Sequence, residues 1–214
     1  MSVPDSFPAA PWRLAGISVQ VLRLVPVTVA RRFVPADLSI VSILPGRTLA
    51  VLYCARYEES SDLQYSELAL APALCRGNRH TGFWISHLYV DSAASQNGGR
   101  CIWGLPKQLA MFRWRDRDEV EVMRDGRLLC AIRWSAGSHL VGVPLWLPLL
   151  TRGDGGFRVT RAKGFAQLAR RRATISVDGL APCEELGFQY SAAAFHSRLR
   201  LTVPAPSPVS NDRP

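Results

Sequence analysis

The stretch GGRCIWGLPKQLAMF, residues 98–112, sets a lysine directly after a proline and among apolar side chains. Lysine is rare in this chain: of 26 Lys plus Arg, only Lys107 and Lys163 are lysine. Arginine therefore carries the ordinary surface charge, and a lysine flanked by Ile102, Trp103, Leu105, Leu109, Met111 and Phe112 invites a chemical reading. An ammonium pushed among such neighbours loses hydration and its pKa falls. The neutral amine then becomes a carbonyl nucleophile near neutral pH. The plain alternative is a solvated loop lysine, the commonest fate of this residue type. Glu67 poses a parallel question, as the single acid in QYSELALAPAL (64–74). Burying it is costly unless it is paired or used, whereas the wet face of an edge strand would accommodate it without chemistry.

Other chemistries lack residues at the required spacing. Gly98-Gly99 and Gly153 with Gly155-Gly156 match neither dinucleotide-binding nor P-loop patterns and read as turns. His80, His87, His139 and His196 are far apart, with no Cys or carboxylate at ligand spacing, so no metal site is expected. No serine-nucleophile elbow occurs. The five cysteines form no C-x-x-C pair and mostly sit in apolar runs, which favours buried free thiols in a reducing compartment.

The elements that must hold Lys107 and Glu67 are mostly strands. GISVQVLRLVPV (16–27), TLAVLYCARYE (48–58), QYSELALAPAL (64–74), GFWISHLYVD (82–91), QLAMFRWR (108–115), FRVTRAK (157–163), RRATISVD (171–178) and SRLRLTV (197–203) are rich in β-branched and aromatic residues. In DEVEVMRDGRLLCAIRW (118–134), two alternating runs flank Asp125-Gly126, the signature of a hairpin whose turn needs positive φ at both central residues. Helix is expected only at VTVARRFV (27–34), as a short turn around DSAASQ (91–96), and at SAAAFH (191–196). The sum is a mainly β, α+β fold of antiparallel sheets with two or three short helices.

The chain's 214 residues suit one domain, read as 13–203 between an N-terminal arm, 1–12, and a flexible tail, 204–214. The net charge of +9 is spread along the chain without a basic run, so nucleic acid is not an expected partner. The N-terminus lacks a basic region followed by an apolar core. The longest apolar run, HLVGVPLWLPLL (139–150), is too short and proline-broken to cross a membrane as a helix. A cytoplasmic protein with no membrane partner is the expectation.

Tyr65-Ser66-Glu67, the run into HLYVD (87–91), Gly99-Arg100 and Gly104-Leu105-Pro106-Lys107 together resemble the acetoacetate decarboxylase family. Its pattern is Tyr-x-Glu on a strand, a strand ending in aspartate, and Gly-Arg-Glu leading to Pro-Lys-Lys. The specific match covers about residues 64–112, and the step from Asp91 to Lys107 fits without a gap. The resemblance implies a cone-like β barrel with an internal pocket, a homo-oligomer, a small keto-acid substrate and no cofactor. Acetoacetate decarboxylase is itself the standard example of a lysine activated by desolvation or by a neighbouring cation.

Carried over, Lys107 falls on the Schiff-base lysine and Glu67 on an active-site glutamate. Arg100, Gln108, Leu105 and Trp103 are the expected substrate contacts, and Arg13 and Arg23 are candidates for an N-terminal arginine facing the pocket. Two positions depart from the pattern: Gln108 replaces the second lysine and Cys101 the glutamate after Gly-Arg. Three functions follow: decarboxylation of a β-keto acid, an aldolase-dehydratase or cyclase reaction of a 2-oxo acid such as pyruvate through the same imine, or a non-catalytic ligand-binding barrel.

Overall fold

A computed structural model describes residues 6–77, 79–115, 118–135, 141–153, 156–190 and 193–208. The strands in chain order are β1 (Trp12–Pro26), β2 (Ser39–Ile40), β3 (Arg47–Tyr57), β4 (Tyr65–Ala71), β5 (Leu74–Gly77), β6 (His80–Trp84), β7 (His87–Val90) and β8 (Lys107–Leu109). They continue as β9 (Met111–Arg115), β10 (Glu119–Arg124), β11 (Arg127–Trp134), β12 (Val141–Gly153), β13 (Gly156–Val177), β14 (Ala193–Val203) and β15 (Ser207–Pro208). Among the described residues three α-helices interrupt them: α1 (Val27–Ala30), α2 (Ala93–Trp103) and α3 (Ala181–Glu185).

All fifteen strands belong to one sheet with a central wall β13–β14–β1–β3–β4–β7–β8. Pairing is antiparallel except at β6–β12 and β7–β8. Only Ala110 separates β8 from β9, and β9–β10–β11 returns to β13, so one face of the wall is closed over by a circuit of paired strands. On the other face β12 and β6 extend from β13, and only Ile85-Ser86 joins β6 to β7, which closes a second circuit. Side chains alternate between the two faces. Val19, Val21, Leu52, Cys54, Leu68 and Leu70 therefore fill a packed core with Val120, Val122 and Ile132, while Leu14, Tyr57, Tyr65, Ala69 and Leu88 face the opposite way with Leu145, Leu147 and Leu149.

Local sequence explains several of these elements. Asp125 (φ 51°) and Gly126 (φ 76°) make the left-handed turn of the β10–β11 hairpin. Pro144 and Pro148 are tolerated in β12 because β6 pairs only with Leu149 and Leu150, leaving most of that strand's outer edge free of a ladder.

The structure corrects four expectations. Gly98 and Gly99 form no turn; they lie inside α2, which runs on from the short turn expected at 91–96. FRVTRAK and RRATISVD are parts of one strand, β13, held by β12, β14 and β11 in succession. In SAAAFH, residues 193–196 are strand, because pairing in β14 with both β13 and β1 outweighs the helical preference of alanine. Of the presumed arm, Trp12 is buried and starts β1; of the presumed tail, Ser207–Pro208 pair with β13. His139 and Gly155 lie outside the described residues, and among the described residues no helix is long and apolar enough to cross a membrane.

Candidate active site

Lys107 opens β8, and its placement begins one element earlier. Ser92 caps α2, its hydroxyl accepting from Ser95 N at 3.2 Å, and Gly104 ends the helix in the left-handed conformation (φ 65°) that glycine adopts without strain. Leu105-Pro106 then turn the chain so that Lys107 enters β8 beside β7, with Leu88 as its register partner. The side chain runs back under α2, where Gly98 and Gly99 leave room for the Trp12 ring and the lysine stem.

Lys107 is 2 % exposed. Its Nζ donates to Ser95 Oγ at 2.8 Å and to Tyr65 Oη at 3.4 Å, and lies 3.7 Å from Glu67 Oε2. The Tyr65 and Trp12 rings sit beside it, with centroids 4.6 and 5.6 Å from Nζ. Burial holds the lysine pKa below its ordinary value, and the nearby Glu67 carboxylate opposes that shift in part. Among the described residues no second cation contributes to this shift, and burial is the cause that favours the neutral amine.

Glu67 lies on an interior strand, since β4 is paired by both β3 and β7, and its side chain is 12 % exposed. Its Oε1 accepts from Tyr57 Oη at 2.8 Å, and Tyr57 Oη lies 3.1 Å from Tyr53 Oη. Burial raises all three tyrosine pKa values, those of Tyr53, Tyr57 and Tyr65, and the Glu67 charge adds to it. The phenols therefore stay protonated and act as hydrogen-bond donors or relays.

These groups line a cavity of about 350 Å³ between the central wall and β12. Trp103 and Leu105 line it as well. The other expected contacts do not, which is a correction. Arg100 is exposed, and its Nε donates to the Lys107 carbonyl at 2.7 Å, so it braces the turn into β8. Gln108 follows Lys107 on a strand and faces the other way, its Oε1 accepting from Arg124. Arg13 is exposed, and Arg23 donates to Leu186 O at 3.0 Å; neither reaches the cavity. The first-strand residue that does reach it is Gln20, whose Nε2 donates to Ser18 and Ser197 while its buried Oε1 has no partner.

The family model described as "Acetoacetate decarboxylase (ADC)" matches residues 7–203, nearly the whole described chain. The chain belongs to the acetoacetate decarboxylase family. Among solved structures of that fold, the enduracididine biosynthesis enzyme MppR complexed with pyruvate superposes with a TM-score of 0.71 at 16% identity, covering 97% of this chain and 93% of that one. The acetoacetate decarboxylase of Legionella pneumophila superposes with a TM-score of 0.67 at 17% identity, covering 98% and 92%. In sequence, Protein NEOXANTHIN-DEFICIENT 1 of rice (Oryza sativa subsp. japonica) is 32% identical over 110 residues, 51% of this chain and 36% of the rice protein. Its tomato (Solanum lycopersicum) namesake is 30% identical over 102 residues, 48% of this chain and 34% of that protein. The match thus spans about a third of the length of these curated relatives.

Both departures from the acetoacetate decarboxylase pattern lie outside the cavity, since Gln108 turns to Arg124 and Cys101 is exposed on α2. The lysine's immediate surroundings are untouched by either. Sequence reasoning passed over Ser95, Tyr57, Tyr53, Gln20 and Trp12 as site residues. Only strand parity pointed to the tyrosines, because Tyr53 and Tyr57 are an even number of residues apart and share a face. Nothing local marks Ser95.

Proposed function

We propose that the protein is a cofactor-independent, Schiff-base-forming lyase that decarboxylates a β-keto acid. The observation that carries this reading is the 2 % exposed Lys107, its pKa lowered by burial, with Nζ 3.7 Å from the Glu67 carboxylate at a cavity wall. Neutral Lys107 attacks the ketone carbon. The resulting carbinolamine takes up a proton, loses water and leaves a protonated imine. The electron pair of the bond to the carboxylate then flows toward the iminium nitrogen, carbon dioxide departs, and an enamine remains. Protonation at carbon and hydrolysis return the ketone and the free lysine. Glu67, tied to Tyr57 and Tyr53, is placed to position water and pass protons.

Among the described lining residues Lys107 is the single cation. A substrate carboxylate there has no counter-ion apart from the imine itself, and desolvation without a counter-ion favours its departure as carbon dioxide. A pyruvate aldolase must instead retain its carboxylate, which a fixed cation assists. That second reading draws support from the fold shared with the pyruvate complex of MppR.

Borohydride reduction in the presence of acetoacetate or pyruvate, followed by peptide mass analysis, tests both. An adduct on Lys107 with carbon dioxide release supports the decarboxylase. Condensation of pyruvate with an aldehyde, without carbon dioxide release, supports the aldolase. Absence of any adduct, or full activity in Lys107→Ala, overturns the imine reading; absence of both adduct and turnover leaves a ligand-binding barrel.

A further inference from the structure

The reacting groups occupy one end of a longer apolar strip. On β4 the cavity face runs Tyr65, Glu67, Ala69, Ala71, and β3 and β1 extend these rows: Ala69 pairs with Tyr53 and Tyr53 with Gln20, while Ala71 pairs with Val51 and Val51 with Leu22. From Glu67 to Ala71 the strand advances about 13 Å at roughly 3.3 Å per residue. The last row holds no polar side chain, and Leu22 at its end is 44 % exposed, so the strip reaches solvent. Leu145, Leu147 and Leu149 of β12 and Leu168 of β13 line the same cavity.

The volume is far greater than a four-carbon keto acid needs. About 350 Å³ lies within the range of pockets that enclose drug-sized ligands. With acetoacetate bound at Lys107, the leucine wall and the Ala71 row would still face water. An apolar substituent on the far side of the ketone would displace that water.

We propose that the substrate is a 3-oxo acid whose ketone carries an extended apolar chain, and that the product is the corresponding methyl ketone. This rests on the imine reading of Lys107. The reaction balances as R–CO–CH2–COOH giving R–CO–CH3 and carbon dioxide, with the water lost on imine formation returned on hydrolysis. R remains in the strip throughout. Each buried methylene contributes about 0.8 kcal/mol, or about fourfold in kcat/KM, so 3-oxooctanoate should exceed acetoacetate by on the order of 10²-fold.

The test compares carbon dioxide release from acetoacetate and 3-oxooctanoate by the full chain, with borohydride trapping of each. In parallel, acetone and 2-heptanone are titrated against the emission of Trp12 and Trp103, which line the cavity. The expected result is a kcat/KM ratio near 10² for the longer acid and 2-heptanone binding at far lower concentration than acetone. Ala71→Phe, which narrows the last row, should bring both ratios toward one. If acetoacetate equals 3-oxooctanoate in the wild-type chain while both label Lys107, the apolar-chain assignment falls and the imine reading stands. If neither acid labels Lys107, the imine reading falls and takes this substrate with it.

Discussion

A Cβ on Gly99 would lie 2.4 Å from Cδ and 2.6 Å from Cε of Lys107, so the α2 backbone and the lysine stem share a boundary with no room for a methyl group. Alanine would raise helix propensity by about 1 kcal/mol at this position, yet it would push the lysine side chain aside. Gly99→Ala is expected to lose about 10²-fold in kcat/KM with an unchanged circular dichroism spectrum, the usual scale for a displacement of about 1 Å at a reacting atom. Activity within twofold of wild type would show that the lysine stem relocates freely.

The rate of imine trapping should rise with pH, because only the neutral amine attacks. Its midpoint should lie below the ordinary lysine value of about 10.4, since burial lowers the Lys107 pKa. Glu67→Gln removes the charge that favours the ammonium, so the midpoint should fall further while turnover drops about 10²-fold or more. A midpoint that rises in Glu67→Gln would contradict the assigned electrostatics.

The same shift makes stability depend on pH. The folded pKa of Lys107 is depressed, so between that value and about 10.4 the unfolded chain binds more protons and stability climbs as pH rises. Below the folded pKa the full cost of burying the charge is present. Lys107→Met should flatten that slope in urea titrations across alkaline pH, and an unaltered slope would assign it to other groups.

Ser95 is fully buried and holds Nζ at 2.8 Å. Ser95→Ala leaves a buried donor one partner short, a deficit of about 1–3 kcal/mol. Trapping with a keto acid should slow about tenfold or more, with no change in the adduct's position.

Cys101 is exposed, while Cys54, Cys75, Cys130 and Cys183 are buried. Burial also pushes the Cys75 and Cys130 thiols up to about 12, which suppresses their thiolates. A thiol reagent should therefore titrate a single fast group in the native protein and all five after denaturation. Two fast groups would show that a second thiol is accessible.

Much of this protein is readable along the chain. Alternating runs and turn residues locate most strands and the Asp125-Gly126 hairpin, because pleat parity and positive φ are local properties. The rarity of lysine and its apolar neighbours single out Lys107, and Tyr65-Ser66-Glu67 with Gly104-Leu105-Pro106-Lys107 carry the family resemblance. Tertiary structure decided the rest. The lengths of α2, β13 and β14 depended on neighbours that complete their caps and ladders, which no local window contains. Arg100 and Gln108 flank the site in sequence yet face away, because a helix end and a strand aim successive side chains in different directions. Tyr57, Ser95, Gln20 and the leucines of β12 meet Lys107 or its cavity only because the wall folds over on both faces. The burial that lowers the lysine pKa is a property of that enclosure, contributed by strands as far as about a hundred residues from Lys107 in either direction along the chain.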